Sequence, residues 1–281
     1  INTNKISTLI VFSWFYDMLV REDEEIEVNL LLLMEERREL ILEELMKEGA
    51  VHVSKLAEKY SVTYETVRKD LTYLENKGLL VKSHGGATLK QNAIEHSFQV
   101  REKENANYKK KIAQKALEVI PDNSSIIIGT GSTTLELAQL LASKSRYKIF
   151  TDSIPVASLL IHSKNQVFLF GGELRDRSSS VFGGWTVSQI NQIQVDLCFL
   201  GTDGFSNLEG PTSPSSSDVF VDQAIIKHSE KRYILGDYTK FERKSLYKIC
   251  DWSEITALIT NNEADESEIN RLSAFTKVIT C

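Results

Sequence analysis

The chain has 281 residues, of which 42% are hydrophobic and 26% are charged, values that are ordinary for a globular protein with room for two domains. Its three cysteines, Cys198, Cys250 and Cys281, form no CxxC pair. This spacing argues against a disulfide framework or a zinc site, and it favours a reducing cytoplasm as the location. The formal net charge of −6 does not by itself indicate a nucleic-acid binder.

Residues 1–33 differ in pattern from the rest of the chain. The apolar run from Ile6 to Val20 is too short to span a bilayer, and it lacks the small-residue cleavage site of a secretory signal. We therefore expect no membrane partner. Met34 begins the first segment with clear helical patterning, so residues 1–33 are interpreted as an extension and Met34 as the natural start.

The apolar spacing and turn residues of 34–88 predict a helix, a short helix, a tight turn, a longer helix and a hairpin. This is the order of elements in a winged helix-turn-helix. The expected elements are a helix ending at Gly49, a strand-like Val51–Val53, a helix Lys55–Lys59 capped by Ser54, a helix from Tyr64 to about Lys77 capped by Thr63, a strand Leu79–Lys82 and a turn His84–Ala87.

The longer helix is the candidate for the DNA major groove. Arg68 is the strongest candidate for base readout because a guanidinium can donate two hydrogen bonds to guanine. Lys69, Lys82 and His84 are interpreted as phosphate or wing contacts. The predicted DNA-binding set is Thr63, Tyr64, Thr66, Arg68, Lys69, Lys82, His84, Gly85 and Gly86. From spacing alone, a three-helix domain with a solvated Arg68-Lys69 pair is the alternative, since residues 34–90 hold ten basic and ten acidic side chains.

Residues 89–108 are polar and are interpreted as a linker to a second domain, 109–281. A helix is predicted from Tyr108 to Ile120, and apolar runs then alternate with polar or glycine-containing turns. This alternation predicts an α/β domain with a mostly parallel sheet. The six predicted strands centre on 126–128, 148–150, 167–170, 197–200, 233–235 and 256–259. The turns after such strands lie at one edge of the sheet, where ligands bind.

The first of these turns, Gly129 to Thr134, suits a phosphate. Two glycines let the backbone approach a ligand, hydroxyls follow, and the start of a helix favours an anion. The sequence is neither a Walker A loop nor a dinucleotide fingerprint, and an ordinary strand-to-helix turn would also explain it. Lys240 could add positive charge or could be a solvated loop lysine. Asp152, Asp203 and Asp218 could accept hydrogen bonds from sugar hydroxyls, although Asp152 could equally form a local turn.

Two sets of motifs resemble the DeoR family of repressors. The first set includes Thr66-Val67-Arg68-Lys69-Asp70-Leu71 and His84-Gly85-Gly86-Ala87. The second set comprises 129–134, 151–153, 171–175, 201–205 and 237–241, in the family's order. The resemblance covers about 34–281. It implies a sensor domain related to ribose-phosphate isomerase, glucosamine-phosphate deaminase and CoA-transferase-like folds, which commonly binds a phosphorylated sugar.

The expected effector-binding set combines these motifs. It is Gly129, Thr130, Gly131, Ser132, Thr133, Thr134, Thr151, Asp152, Ser153, Gly171, Gly172, Thr202, Asp203, Gly204, Asp218 and Lys240. Three positions depart from the family pattern. Asp152 stands where the family usually has Asn, Asp218 where it often has Glu, and Asp222 where it often has Lys.

The resemblance implies a repressor of a sugar-utilisation operon that binds operator DNA as a homodimer or homotetramer and responds to a sugar phosphate. No cofactor, metal or catalytic residue is expected. The alternatives are a sugar-phosphate isomerase-like enzyme fused to a DNA-binding module and an architectural DNA-binding protein without a ligand. No compact acid/base constellation favours the first, and the phosphate-friendly strand-end turns argue against the second.

Overall fold

The computed structural model describes residues 34–45, 48–77, 79–89, 98–205 and 210–281. The predictions made for residues 1–33 lie outside these ranges. The described chain divides into two compact units. The first holds 34–76 and 80–89, and the second holds 98–281 together with Lys77 and Leu79.

The first unit confirms the winged helix-turn-helix layout. It comprises α1 (34–45), β1 (Ala50–His52), α2 (Val53–Lys59), α3 (Tyr64–Asn76), β2 (Leu80–Ser83) and β3 (Gly86–Leu89). The strands form an antiparallel sheet in the order β1-β3-β2. The buried side chains of α3 recur at helical spacing, at Val67, Leu71 and Leu74, so this face packs into the core as predicted.

The helix starts were predicted with mixed success. Thr63 is confirmed as a cap, because its Oγ1 accepts a hydrogen bond from the backbone N–H of Thr66 at 3.1 Å. The prediction for Ser54 is wrong. Helix α2 already begins at Val53, its N-cap is His52, and Ser54 lies inside the first turn. The helix therefore begins two residues before the expected start at Lys55, and its first residue, Val53, is buried in the core.

Asp70 joins α1 to α3 through two ion pairs. Its side chain is almost fully buried, and its two carboxylate oxygens accept hydrogen bonds from Nε of Arg37 at 2.7 Å and Nε of Arg38 at 2.9 Å. The guanidinium of Arg38 also lies 3.8 Å from the ring centroid of Tyr73. This charged cluster fixes the helix that carries Arg68 against the first helix of the unit.

The second unit is built on seven parallel strands in the order β14-β13-β11-β9-β4-β5-β6. The strands are β4 (Ser125–Ile128), β5 (Ser145–Thr151), β6 (Lys164–Leu169), β9 (Val195–Leu200), β11 (Ser229–Leu235), β13 (Ala257–Thr260) and β14 (Lys277–Thr280). The six predicted strands and the parallel sheet are confirmed, and β14 was not predicted.

Helices and two small antiparallel pairs surround this sheet. The helices are α4 (Phe98–Lys103), α5 (Ala106–Glu118), α6 (Ser132–Ala142), α7 (Ile154–Leu160), α8 (Gly184–Ile190), α9 (Ser216–Lys227) and α10 (Glu266–Leu272). The pairs are β7 (Glu173–Arg175) with β8 (Ser180–Phe182), and β10 (Thr212–Ser213) with β12 (Tyr247–Lys248). The sheet has a hydrophobic cluster on each face, as is usual for α/β folds.

The predicted linker, 89–108, differs from the structure in its second half. Residues from Phe98 onward belong to the second unit, where they form α4 and the start of α5. Phe98 is buried in the core beside α5 and α6, and its backbone N–H donates to the carbonyl of Arg177. A single buried aromatic residue in a polar segment therefore sets where the second unit begins.

Candidate functional site

The exposed face of α3 is the candidate nucleic-acid surface of the first unit. Tyr64, Glu65, Arg68 and Lys69 are exposed, whereas Val67, Asp70, Leu71 and Leu74 are buried. Positions 64, 65, 68 and 69 follow the i, i+1, i+4, i+5 spacing of one helix face. The two basic side chains that were predicted to contact DNA therefore share one solvent-facing stripe, while Thr63 and Thr66 close the start of the helix.

The wing positions His84 at an exposed turn between β2 and β3. Gly85 has φ +86°, a conformation that glycine adopts readily, and a Cβ on Gly86 would lie 2.0 Å from the carbonyl oxygen of Val51. Both glycines thus have structural reasons to be present. The ammonium of Lys82 lies 3.0 Å from Oγ1 of Thr72 and 3.4 Å from Oε2 of Glu75, so it ties the wing to α3.

The second unit has a cleft at the point where the strand order reverses. Strands β4 and β9 are neighbours, and the chain leaves them toward opposite edges of the sheet. The loops that follow β4, β9 and β11 meet there, as expected at a switch point of a parallel sheet. These loops contribute Thr130–Thr133, Gly201–Asp203 and the residues Asp237, Thr239 and Lys240 to the lining of the cleft.

One part of the cleft is formed by the start of α6. Gly131 is the N-cap of this helix, and no acidic residue is present in its first turn. Since glycine has no side chain to cap the helix, the first-turn amides of Ser132 and Thr133 are left to the cleft, where a helix start attracts anions.

Four basic side chains also line the cleft: Arg101, Lys109, Lys240 and Arg243. Lys109 is buried and donates to the carbonyl groups of Arg101 and Glu104. Burial lowers the pKa of Lys109 to about 8, and the charge of Asp237 opposes this shift. One of the basic residues of the cleft is therefore a buried lysine held in place by backbone carbonyls.

The cleft brings together half of the residues predicted to bind the effector. Those that line it are Thr130, Gly131, Ser132, Thr133, Thr202, Asp203, Asp218 and Lys240. The other eight do not line it. Oγ1 of Thr134 donates to the carbonyl groups of Gly129 and Gly131, and Oγ1 of Thr151 donates to that of Ile128.

The glycines and Ser153 outside the cleft have packing or capping roles. Ser153 caps α7 through the backbone N–H of Val156. A Cβ would lie 2.4 Å from the side chain of Leu200 at Gly129, 2.1 Å from Oγ1 of Thr186 at Gly172 and 2.1 Å from the carbonyl oxygen of Arg243 at Gly204. The backbone N–H of Gly171 donates to Gln189.

Asp152 does not line the cleft and is almost fully buried. Burial, reinforced by the charge of Asp218, raises its pKa to about 7, while the backbone N–H groups of Asp152 and Thr130 act in the opposite direction. Asp222 lines the cleft, and its pKa is raised well above the usual range by burial and by the charges of Asp152, Asp218 and Asp203.

Several cleft residues were missed from the sequence, above all Arg101 and Lys109. A signal for Lys109 was present. In α5, Lys109 precedes Ile112, Ala113 and Ala116 at the spacing of the buried stripe, so a lysine occupies a position that should be apolar. Arg101 was missed because its segment was interpreted as a linker.

Two family models match the chain. The model described as the DeoR C terminal sensor domain matches residues 104–262, and the model described as the DeoR-like helix-turn-helix domain matches residues 37–93. The chain belongs to the DeoR family of transcriptional repressors. The winged helix-turn-helix of this DeoR-family chain is therefore its DNA-binding unit, and the α/β unit is its sensor domain.

Curated DeoR-family relatives are similar over most of their length. The glycerol-3-phosphate regulon repressor of Escherichia coli K12 is 30% identical, with 80% of this chain and 90% of the relative covered. The lactose phosphotransferase system repressor of Streptococcus mutans is 31% identical, with coverages of 87% and 98%. Among solved structures, ribose 5-phosphate isomerase A of Methanocaldococcus jannaschii matches with a TM-score of 0.36 and 17% identity, covering 49% of this chain and 55% of the other.

Across the described residues, no helix is both long and apolar enough to cross a membrane. Nor do the described residues include a group of three or more His, Cys, Asp or Glu side chains that could hold a metal ion.

Proposed function

We propose that this repressor controls genes for the use of a sugar and that a phosphorylated sugar, bound in the cleft of the sensor domain, weakens its binding to operator DNA. The observation that carries the effector half is the uncapped start of α6, which faces a cleft also lined by Lys109 and Lys240. A helix start and ammonium groups are both suited to a phosphate dianion.

The remaining polar groups of the cleft suit the sugar. Thr202, Asp203 and Asp218 line it together with Thr212 and Ser213 and offer hydroxyl and carboxylate oxygens to sugar hydroxyls. The names of two relatives support the same class of ligand, because one is a glycerol-3-phosphate regulon repressor and the other a lactose phosphotransferase system repressor.

In the DNA-binding unit, Arg68 reads bases and Lys69 contacts phosphate, with His84 in the wing beside the groove. The repressor binds as a homodimer or homotetramer to half-sites spaced by about one helical turn of DNA, roughly 34 Å, or a multiple of it. A coupling free energy of about 1–3 kcal/mol between effector and operator is enough to change affinity by roughly 5- to 150-fold.

The test begins with DNA selected by the full chain from a random duplex library, followed by anisotropy titrations. Arg68→Ala is expected to weaken DNA binding by about 10-fold or more, since one bidentate base contact contributes about 1–3 kcal/mol. Lys231→Ala, which removes an exposed charge from β11 of the sensor domain, is the matched control and is expected to bind normally.

The effector half is tested by adding hexose and pentose phosphates to the complex. Release of DNA by at least one of them, and loss of this response in Lys240→Ala, are expected. An unaltered response in Lys240→Ala would show that the phosphate binds elsewhere. Catalytic turnover of a sugar phosphate by the free protein would instead favour the isomerase-like alternative.

A further inference from the structure

The cleft has an acidic part that the phosphate does not explain. Asp203, Asp218 and Asp222 line it, and the buried Asp152 acts on Asp222 through its charge. Asp203 follows β9 and Asp152 follows β5, whereas Asp218 and Asp222 are one turn apart on α9, so that they share one helix face. Three separate elements thus direct four carboxylates to one place.

Two of these carboxyls, Asp152 and Asp222, have a raised pKa. Burial is the largest cause for both Asp152 and Asp222, and the neighbouring aspartates add to it. Carboxylates in such a site must be neutralised by protons or by a positive charge. Arg175 supplies one positive charge, through an ion pair of 3.2 Å with Asp218.

Asp152 supplies independent evidence of a missing partner. Oδ1 of this buried carboxyl has no hydrogen-bond partner among the described residues. A buried carboxylate oxygen without a donor is costly, and structures normally satisfy it. The group that would satisfy this cluster has to donate hydrogen bonds and to carry positive charge.

The basic part of the cleft has different neighbours. The charges that act on Lys109 come from Asp237, Lys240, Glu104 and Arg101. Those that act on Asp222 come from Asp152, Asp218 and Asp203. The two sets share no residue, so Lys109 and the aspartates around Asp222 lie in different parts of the cleft.

We propose that the acidic part of the cleft binds a protonated primary amine, so that the effector is a phosphorylated amino sugar whose amino group is free. This inference rests on the proposed function, since it assigns the second end of the same ligand. A primary ammonium has three N–H donors and a full positive charge, and it fits both the unpartnered Oδ1 of Asp152 and the excess of carboxylates. A sugar hydroxyl would donate one hydrogen bond and would leave the carboxyls to hold their protons.

The experiment compares matched probes by isothermal titration calorimetry of the full chain. The pairs are glucosamine 6-phosphate with glucose 6-phosphate, and galactosamine 6-phosphate with galactose 6-phosphate, each alongside its N-acetylated form. At least one amino sugar is expected to bind roughly tenfold or more tightly than its hydroxyl and N-acetyl partners, because only the free amine makes charge-assisted hydrogen bonds.

Asp222→Asn is expected to bring the ratio of the amino-probe affinity to the hydroxyl-probe affinity close to one. Asp222 is half-buried and asparagine keeps its shape, so this variant is expected to fold. Glu230→Gln, which neutralises an exposed carboxylate on β11, is the control and is expected to keep the preference. Titrations at pH 6.5 in two buffers are expected to show more protons released with the amino probe, since an ammonium keeps the carboxylates ionised.

The outcomes separate the two proposals. Equal binding of amino, hydroxyl and N-acetyl probes would overturn the amine inference and leave the sugar-phosphate sensor intact. A preference that persists unchanged in Asp222→Asn, with no difference in proton release, would also overturn it. Failure of every phosphorylated probe to bind would refute the sensor proposal itself.

Discussion

Replacing Asp70 by Asn tests how the recognition helix is held. Both carboxylate oxygens of Asp70 are paired, with Arg37 at 2.7 Å and Arg38 at 2.9 Å, and the side-chain exposures are 2%, 16% and 10% in that order. An asparagine keeps the shape, but it has one oxygen and no charge. Two arginines that are largely buried would therefore lose their counter-ion.

The expected loss can be compared with the stability of the unit. Removing one partner of a buried ion pair costs about 3–5 kcal/mol, because the remaining charge stays desolvated. A domain the size of residues 34–89 is expected to be stable by roughly 3–8 kcal/mol. Asp70→Asn is therefore expected to remove most of the stability of the DNA-binding unit and to abolish DNA binding at 37 °C.

Hydrogen exchange of the full chain can measure this loss locally. Peptides from α1 and α3 are expected to lose protection by about 3 kcal/mol, whereas peptides from β4 and β9 serve as an internal reference. Glu65→Gln, which neutralises an exposed acid on the same helix, is the control and is expected to change protection by less than about 0.5 kcal/mol.

A loss below about 1 kcal/mol in Asp70→Asn would refute this reasoning. It would mean that water or another acceptor satisfies Arg37 and Arg38 as well as the carboxylate does. Asp70 would then serve only to set the geometry with which α3 enters the DNA groove, and it would not contribute to the stability of the unit.

Three further changes test separate features. Thr63→Ala is expected to lower the stability of α3 by about 1 kcal/mol, measured by hydrogen exchange, because the capping bond is lost. Asp152 has a pKa of about 7 in the folded state and of 3.8 as a free side chain, so the folded state binds more protons between these values. The stability of the protein therefore falls as the pH rises through this range. Asp152→Asn is expected to make this fall smaller in melting curves recorded from pH 5 to 8. Gly172→Ala is expected to lower the free energy of unfolding by about 1–3 kcal/mol, because its Cβ would lie 2.1 Å from Oγ1 of Thr186. The Cβ of the control Gly184→Ala meets no atom within 4 Å, so this variant is expected to keep its stability. Equal melting temperatures of the two variants would contradict the packing role of Gly172.

The regular patterns of the sequence predicted most of the fold. Apolar runs that end in glycine or hydroxyl-containing turns gave the central strands, because a buried parallel strand has no polar face to obscure the signal. The exposed stripe of α3 was predictable for a different reason. Val67, Leu71 and Leu74 repeat at helical spacing, so the opposite face had to be the exposed one. The cap at Thr63 followed from its side-chain chemistry.

The rest depends on contacts between distant parts of the chain. The order of the strands in the sheet decides whether the turn after a strand reaches the cleft, and the sequence of one turn does not reveal that order. Gly171 and Gly172 follow the edge strand β6, so they pack near α8 and do not line the cleft. Arg101 escaped prediction because one buried phenylalanine, Phe98, determines that its segment folds with the sensor domain.

The position of α4 has a consequence for signal transmission. In this six-residue helix the carbonyl of Arg101, within the last turn, accepts a hydrogen bond from the ammonium of Lys109. A phosphate bound at this ammonium would compete with the carbonyl of Arg101 for the same donor. Hydrogen bonding in the last turn of α4, the first described helix after the DNA-binding unit, is therefore coupled to what occupies the cleft.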